Sequence, residues 1–365
     1  MIPYIPERVL IQEESLHDEI TSEILGRLPD AETERVSASD IRRMEPVAGF
    51  GTSREIRNTL LLMRYPGKFL KACQGSGADM CCNYYTLNCI WNCPLECTYC
   101  VLQSYLSSRA IVVCTNLNDL LDEVRRTLSR SPDRIYRIGT GELGDSLALD
   151  PITGLSRILV PFFAGLRNGF LELKTKSDSI ANLETLAHRG HTVISWSVNS
   201  ERVRCSEESK SASMEDRLAA AGQCERWGYK LGFHFDPIIY YEGWEQEYRA
   251  TVERIFRSVD PGSVVWISLG ALRFPPHLID RVKKRYPESR IPYGEFVPAH
   301  HGKLRYFRPL REEIYRKMIS WIREVAPQVL VYLCMESFAV WEKCFDGLPL
   351  NPSTLSSKLD KAVRG

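Results

Sequence analysis

Residues 84–100 read YYTLNCIWNCPLECTYC. The first seven, Tyr84–Ile90, form an apolar run of strand length and composition. The remainder is a loop that carries Cys93, Cys97 and Cys100. Thiolate is the metal-binding form of cysteine, and a loop backbone is free to wrap three of them around one centre. A structural zinc site needs a closed set of four ligands, usually from two separated pairs. Here the fourth would have to be Cys81, Cys82 or Cys89, and no matching second pair follows. A four-iron cubane held by three thiolates keeps one iron open to a cofactor or substrate. The spacing therefore favours an open-sited cluster over zinc.

Downstream, apolar runs at Arg134–Gly139, Phe170–Thr175, Thr192–Val198, Lys230–Asp236, Val264–Leu269 and Val329–Cys334 alternate with segments of helical period. The helical segments are Asn118–Arg130, Ser179–Ala187, Met214–Trp227, Trp244–Phe256 and Arg311–Val325. Repeated strand–helix units predict a parallel sheet with covering helices, here an open, incomplete α/β barrel. In such barrels function sits on the loops after the strands, which is where the cysteine loop falls. Residues 1–83 lack this rhythm and read as a smaller N-terminal cap. Residues 84–345 form the barrel and 346–365 a C-terminal tail.

The chain has 365 residues, 44% hydrophobic and 25% charged, with net charge +1. That balance gives no global pull toward nucleic acid, so such a role needs a local basic face. No run approaches the roughly eighteen apolar residues of a membrane span, and MIPYIPERVL is not a signal sequence. Twelve cysteines without an export signal predict a reducing cytoplasm, where metal binding explains them better than disulfides.

Cys-x3-Cys-x-aromatic-Cys resembles the cluster motif of the radical S-adenosylmethionine enzymes. The resemblance implies a [4Fe-4S] cluster on Cys93, Cys97 and Cys100 inside a partial (β/α)6 barrel. It also implies S-adenosyl-L-methionine on the open iron, reductive cleavage to a 5′-deoxyadenosyl radical, and Tyr99 beside the adenine. Gly139-Thr140-Gly141-Glu142 is similar to the Gly-Gly-Glu segment of these enzymes, which assigns Glu142 to the methionyl amine. Lys176, Ser197 and Asn199 end the third and fourth strands. They are the candidates for the carboxylate and ribose hydroxyls of the same cofactor.

His234 and Asp236 alternate with Phe233 and Phe235, so both share one strand face, with His234 either catalytic or satisfied in the core. Basic stretches occur at Arg281–Arg285, expected as a solvated helix face, and at Lys303–Arg308, where aromatics interleave with cations in a mix suited to nucleic acid. Arg54, Arg57, Arg64, Lys68 and Lys71 are a third basic set.

Taken together, Cys97–Gln103, Gly228–Phe233, Asp236–Ile238, Tyr241–Glu245 and Arg273-Phe274 resemble one radical-SAM family, the spore photoproduct lyases, over most of the chain. That family reverses a thymine lesion in DNA. The resemblance implies lesion-bearing DNA as substrate and an electron donor such as flavodoxin or ferredoxin. Two positions depart from it. The lyases return a hydrogen atom from a cysteine after the second strand, where this chain has Glu142. They relay it through a tyrosine after the third cluster cysteine, where this chain has Val101. Asp145 of the same segment is kept and counted with the catalytic residues. Cys334, at the end of the last strand, is the candidate substitute donor, against a buried structural thiol. The alternatives are a radical-SAM enzyme acting on another nucleic acid, a peptide or a small metabolite, and a non-catalytic iron–sulfur or zinc protein.

Overall fold

The structure is a computed structural model described over residues 4–44, 58–73, 75, 79–106, 110–299, 302–345 and 351–364. Its strands are β1 Arg8–Gln12, β2 Glu32–Val36, β3 Thr59–Met63, β4 Leu70–Ala72, β5 Tyr85–Leu87, β6 Ile90–Trp91, β7 Ile111–Cys114 and β8 Tyr136–Gly139, then β9 Gly169–Thr175, β10 Thr192–Ser197, β11 Lys230–Ile238, β12 Val264–Ala271, β13 Arg273–Phe274, β14 Val297–Pro298, β15 Leu304–Arg305 and β16 Val331–Leu333.

The larger sheet runs β16-β12-β11-β10-β9-β8-β5-β4. All its neighbours are parallel except β4, which is antiparallel to β5. This is the curled, incomplete barrel that the alternation predicts. Its two ends approach each other through a bridge between Asp79 and Ser337 and the bond from Met80 N to Glu336 O, 2.9 Å. A small antiparallel sheet, β13-β15-β14, stands over the strand ends.

The covering helices Leu117–Ser129, Met214–Arg226, Trp244–Ser258 and Arg308–Val325 match the predicted segments closely. Ser179–Ala187 does not form a helix, only the short 3-10 turn Ala181–Leu183. Local hydrogen bonds compete with a helix there. Ser177 Oγ takes the Ser179 N–H at 3.0 Å, and the Tyr229 hydroxyl occupies the Leu183 carbonyl at 2.8 Å.

The N-terminal part is more than a cap. β1, β2 and β3 are parallel strands separated by the helices Glu19–Gly26 and Ala38–Met44, a strand–helix rhythm like that of the barrel. This second sheet runs β2-β1-β3-β7-β6. β1 is buried on both faces, with Val9 and Ile11 in the main core and Leu10 in a smaller one with Val36, Leu61 and Val112.

The run Tyr84–Ile90 is split between the two sheets. β5 joins the barrel, while β6 pairs antiparallel with β7 in the N-terminal sheet. The turn is fixed by Asn88 N donating to Phe69 O at 3.0 Å and Cys114 N donating to Cys89 O at 2.9 Å. The cysteine loop therefore both leaves and re-enters through the N-terminal sheet.

Residues 346–350 and 365 lie outside the described residues; within the expected tail runs the helix Pro352–Arg364. It buries Leu355, Leu359 and Val363. Asp360 pairs with the Arg137 Nε of β8 at 2.8 Å, and the Val363 carbonyl accepts Lys230 at the start of β11. Both contacts lie at the amino ends of the strands, so this helix closes the bottom of the barrel.

Candidate active site

At the opposite end of the strands, the cysteine loop is held open by many small restraints. Asn92 and Glu96 adopt left-handed φ values of 68° and 48°, the region asparagine tolerates best among non-glycine residues. Asn92 Nδ2 donates to Ala110 O at 2.7 Å, and Gln103 Nε2 donates to Thr98 O at 2.9 Å and Cys97 O at 3.3 Å. Thr98 is pinned from across the barrel, its N–H on Glu207 O at 2.9 Å and its hydroxyl on the Glu207 carboxylate. Gly144 permits close approach of the next loop: a Cβ there would lie 2.9 Å from Ile90 Cγ2 and 3.1 Å from Asn92 O.

Cys93, Cys97 and Cys100 line one cavity of about 290 Å³ with Tyr99, Glu142, Asp145, Lys174, Lys176, Ser197, Asp236, Arg273 and Lys303. Burial pushes all three thiols up, so without a cationic partner they are protonated. A cluster supplies that partner. Among the described residues no three His, Cys, Asp or Glu groups converge tightly enough for a single ion. Three thiolates on one cavity wall fit a cluster that keeps one iron open.

The other expected residues separate into those on the cavity wall and those behind it. Glu142 is on the wall and accepts from Asn88 Nδ2 at 2.9 Å. Beside it Asn88 Oδ1 is a buried acceptor with no donor among the described residues, so this corner suits an incoming ammonium group. Ser197 is also on the wall. Tyr99 presents its ring there while its hydroxyl donates to Glu208. Lys176 Nζ sits 3.6 Å from Glu208 Oε1 and 5.9 Å from the Tyr99 ring centroid.

Asp145 lies on the wall as a clamp. Its Oδ1 accepts from Leu147 N, Ala148 N and Thr175 Oγ1 at 3.0, 2.8 and 2.6 Å, and its Oδ2 accepts from Lys176 N at 2.8 Å. With its oxygens so engaged it is a positioning residue, tying the loop after β8 to the end of β9. Asn199 is off the wall. Its amide donates to Pro237 O at 3.0 Å and Glu208 Oε1 at 3.4 Å, and its Oδ1 accepts from Tyr248 and from Ser200 N. No polar atom of that side chain is left for a ribose.

His234 is also satisfied in the core, between Ser268 Oγ at 2.6 Å and Glu172 Oε1 at 2.8 Å. Asp236 reaches the wall and is bound by both terminal nitrogens of Arg273 at 3.0 Å. Cys334 stands one layer back, 3.8 Å from Arg273 Nη2, with its thiol raised by burial.

Of the Lys303–Arg308 stretch, Lys303 reaches the wall. Arg305 pairs with Glu336 at 3.5 Å and Arg308 with Glu312 at 2.6 Å, Tyr306 is buried, and Phe307 is 61% exposed. Arg54 and Arg57 lie outside the described residues, and Arg64 is paired with Asp18 at 2.6 Å.

Three participants escaped the residue-by-residue reading. Lys174 lies on the wall with Glu142 and Asp236. Glu172, below it, accepts from Ser195, His234 and Trp266 at 2.6, 2.8 and 3.2 Å, and from Tyr84. Burial alone would raise Glu172, but His234 and its other partners outweigh that and hold it at about 2. Strand alternation on β9 puts Glu172 and Lys174 on one face, so that signal was present. Glu208 was not visible in its polar loop. It is buried with Arg217, 2.7 Å away and itself inaccessible.

No helix among the described residues is long and apolar enough to cross a membrane. The family model described as spore photoproduct lyase matches residues 4–330. A spore photoproduct lyase from a Geobacillus species is 24% identical over 91% of this chain and 99% of its own length. The Bacillus subtilis spore photoproduct lyase is 23% identical over 80% of this chain and 86% of its own. The fold is shared with a solved spore photoproduct lyase variant holding AdoMet and dinucleoside spore photoproduct. Their TM-score is 0.80 at 24% identity, covering 91% of this chain and 100% of the other.

Proposed function

The chain belongs to the spore photoproduct lyase family, and from that membership we propose that it is a radical S-adenosylmethionine lyase repairing a thymine photolesion in DNA. The observation that carries the reading is the cavity at the strand carboxyl ends, which unites the cysteine triplet with Glu142, Lys174 and Lys176. The relatives' names and the AdoMet and dinucleoside lesion bound by a neighbour of the same fold support it. When bound, the [4Fe-4S] cluster and S-adenosylmethionine supply reductive generation of a 5′-deoxyadenosyl radical.

The chain's own residues hold and orient. Cys93, Cys97 and Cys100 provide the thiolates. Glu142 takes the methionyl amine, and Lys176 or its neighbour on the same wall, Lys174, takes the carboxylate. Ser197 offers a hydroxyl to the cofactor, and Tyr99 gives a flat apolar wall for the adenine. Asp145 keeps Lys176 in place through its backbone N–H. Lys303 and Arg273 are the cations on the cavity wall that would meet a substrate phosphate. We place the protein in the cytoplasm.

A second reading is favoured by Glu142 and Val101. Val101 is on the cavity wall, so the position next to the cluster carries a hydrocarbon with no O–H to relay a hydrogen atom. The same radical starter acting on a different substrate would need no such relay.

Anaerobic reconstitution followed by incubation with S-adenosylmethionine, dithionite and dinucleoside spore photoproduct separates the readings. The lyase reading expects about four irons per chain, 5′-deoxyadenosine, and conversion of the lesion to two thymines. Cofactor cleavage with an intact lesion transfers the assignment to the second reading. Stoichiometric zinc without cleavage removes both.

A further inference from the structure

We propose that the helix Leu278–Arg285 and the turn after it are the docking surface for an acidic, low-potential one-electron carrier protein. The inference rests on the cluster reading above and adds where the electron enters. Arg281, Lys283, Lys284, Arg285 and Arg290 stand within ten residues, against the acids Asp280 and Glu288, in a chain whose net charge is only +1. Lys283, Lys284 and Arg290 are exposed. So is Tyr293, 69% accessible, with Lys283 Nζ 5.2 Å above its ring centroid. Exposed cations beside an exposed aromatic that one of them caps are the composition of a steered, transient protein interface.

Its position gives the charge a purpose. The cysteine loop is thin, and its far side forms a second, smaller cleft of about 70 Å³ lined by Cys93, Cys97 and Cys100 together with Arg285 and Tyr286. No residue of the helix lines the main cavity. The helix is also wired to the loop. Arg285 Nη1 donates to Gln103 Oε1 at 3.3 Å, and the amide nitrogen of that glutamine holds the Thr98 and Cys97 carbonyls. Just beyond the helix, Ser289 Oγ donates to Glu207 Oε2 at 2.8 Å, the carboxylate that fixes Thr98.

A carrier seated here approaches the cysteines from behind, leaving the mouth free for cofactor and DNA. The step is a transfer of one electron from the reduced carrier to the cluster; no bond forms or breaks and no proton moves. Cations at a helix C-terminus also favour the helix itself, but that role does not require an acidic partner.

The test uses the reconstituted full chain and its K283E/K284E variant, with a recombinant acidic flavodoxin as probe. Binding is measured by titration calorimetry, and cluster bleaching is followed by stopped-flow absorbance. The variant is expected to bind the carrier at least about tenfold more weakly, a loss of about 1.4 kcal/mol. Its carrier-driven reduction should slow by a similar factor, and added salt should slow the parent toward the variant. Iron content and dithionite-driven cofactor cleavage should be unchanged, and the melting temperature should fall only slightly, by the helix-terminal charge lost; the first two controls report on the cluster reading alone. Equal carrier binding and reduction in both proteins overturns the proposal. A loss of duplex DNA affinity with carrier binding intact overturns it too, and reassigns the face to nucleic acid.

Discussion

Glu208 shows how one side chain supports a site without lining it. Its carboxylate takes the Tyr99 hydroxyl, faces Lys176 Nζ at 3.6 Å, and bonds Arg217 Nη2 at 2.7 Å. Burial alone would raise its pKa, but Lys176 and Arg217 reverse that and hold it at about 2. A depressed carboxylate contributes stability that is complete above its unfolded value and disappears as pH falls through the folded one. Glu208→Gln leaves a buried guanidinium without its counter-charge and should cost roughly 3–5 kcal/mol at neutral pH. Urea midpoints should show that deficit constant above about pH 5 and shrinking toward pH 2, as the parent loses its own carboxylate. A deficit independent of pH over that range would mean the pair acts through shape alone. Arg217 and Glu208 have no sequence signature, because their meeting depends on a loop that folds back under β10. The meeting of the cysteines, Glu142 and Ser197 on one cavity wall was legible because motif spacing and strand ends mark them. Asn199 satisfied the same rule yet faces inward, since the strand has ended by that residue and alternation no longer sets direction.

At the scale of elements, alternation of strand and helix was readable wherever a strand is buried on both faces and its helix carries a clear apolar stripe. It was unreadable where one run serves two sheets, as Tyr84–Ile90 does, since apolar residues look alike whichever sheet they join. The helix Pro352–Arg364 was hidden for another reason: it makes its case only against the barrel floor, where Asp360 meets Arg137. Its buried Leu359 is the central contact of three, one turn from each neighbour. Leu359→Ala should lower stability by about 2–5 kcal/mol through transfer loss and the cavity left behind. Because the helix lies at the amino ends of the strands, iron content and cofactor cleavage measured below the melting transition should match the parent. Loss of iron at a temperature where circular dichroism shows the variant folded would show that the floor shapes the mouth.

At the scale of the whole molecule, the N-terminal sheet is the frame on which the cysteine loop hangs. β6 precedes the loop and β7 follows it, and both are strands of that sheet, with β7 held between β3 and β6. Removing residues 1–83 would take away β1, β2 and β3, together with β4 of the barrel. What remains of the frame is β6 on β7, a two-stranded ribbon that is marginal in water. Ile111, Val112 and Val113 are each no more than 1% exposed, and β7 would lose the cover of β3. Each aliphatic side chain uncovered costs roughly 1.5–3 kcal/mol, against a net stability of about 5–15 kcal/mol for a domain. The barrel strands β8 to β12 pair among themselves, and that ladder is left intact by the deletion even though it shares a core with the frame. A fragment of residues 84–365 is therefore expected to keep strand and helix signal by circular dichroism but to fail to retain iron after reconstitution. Parent-level iron in that fragment would mean that Glu207, Gln103 and the barrel alone set the loop. The N-terminal unit would then be a true cap. Its expected failure instead makes the cluster a property of two sheets meeting, with the cysteine loop as their shared edge.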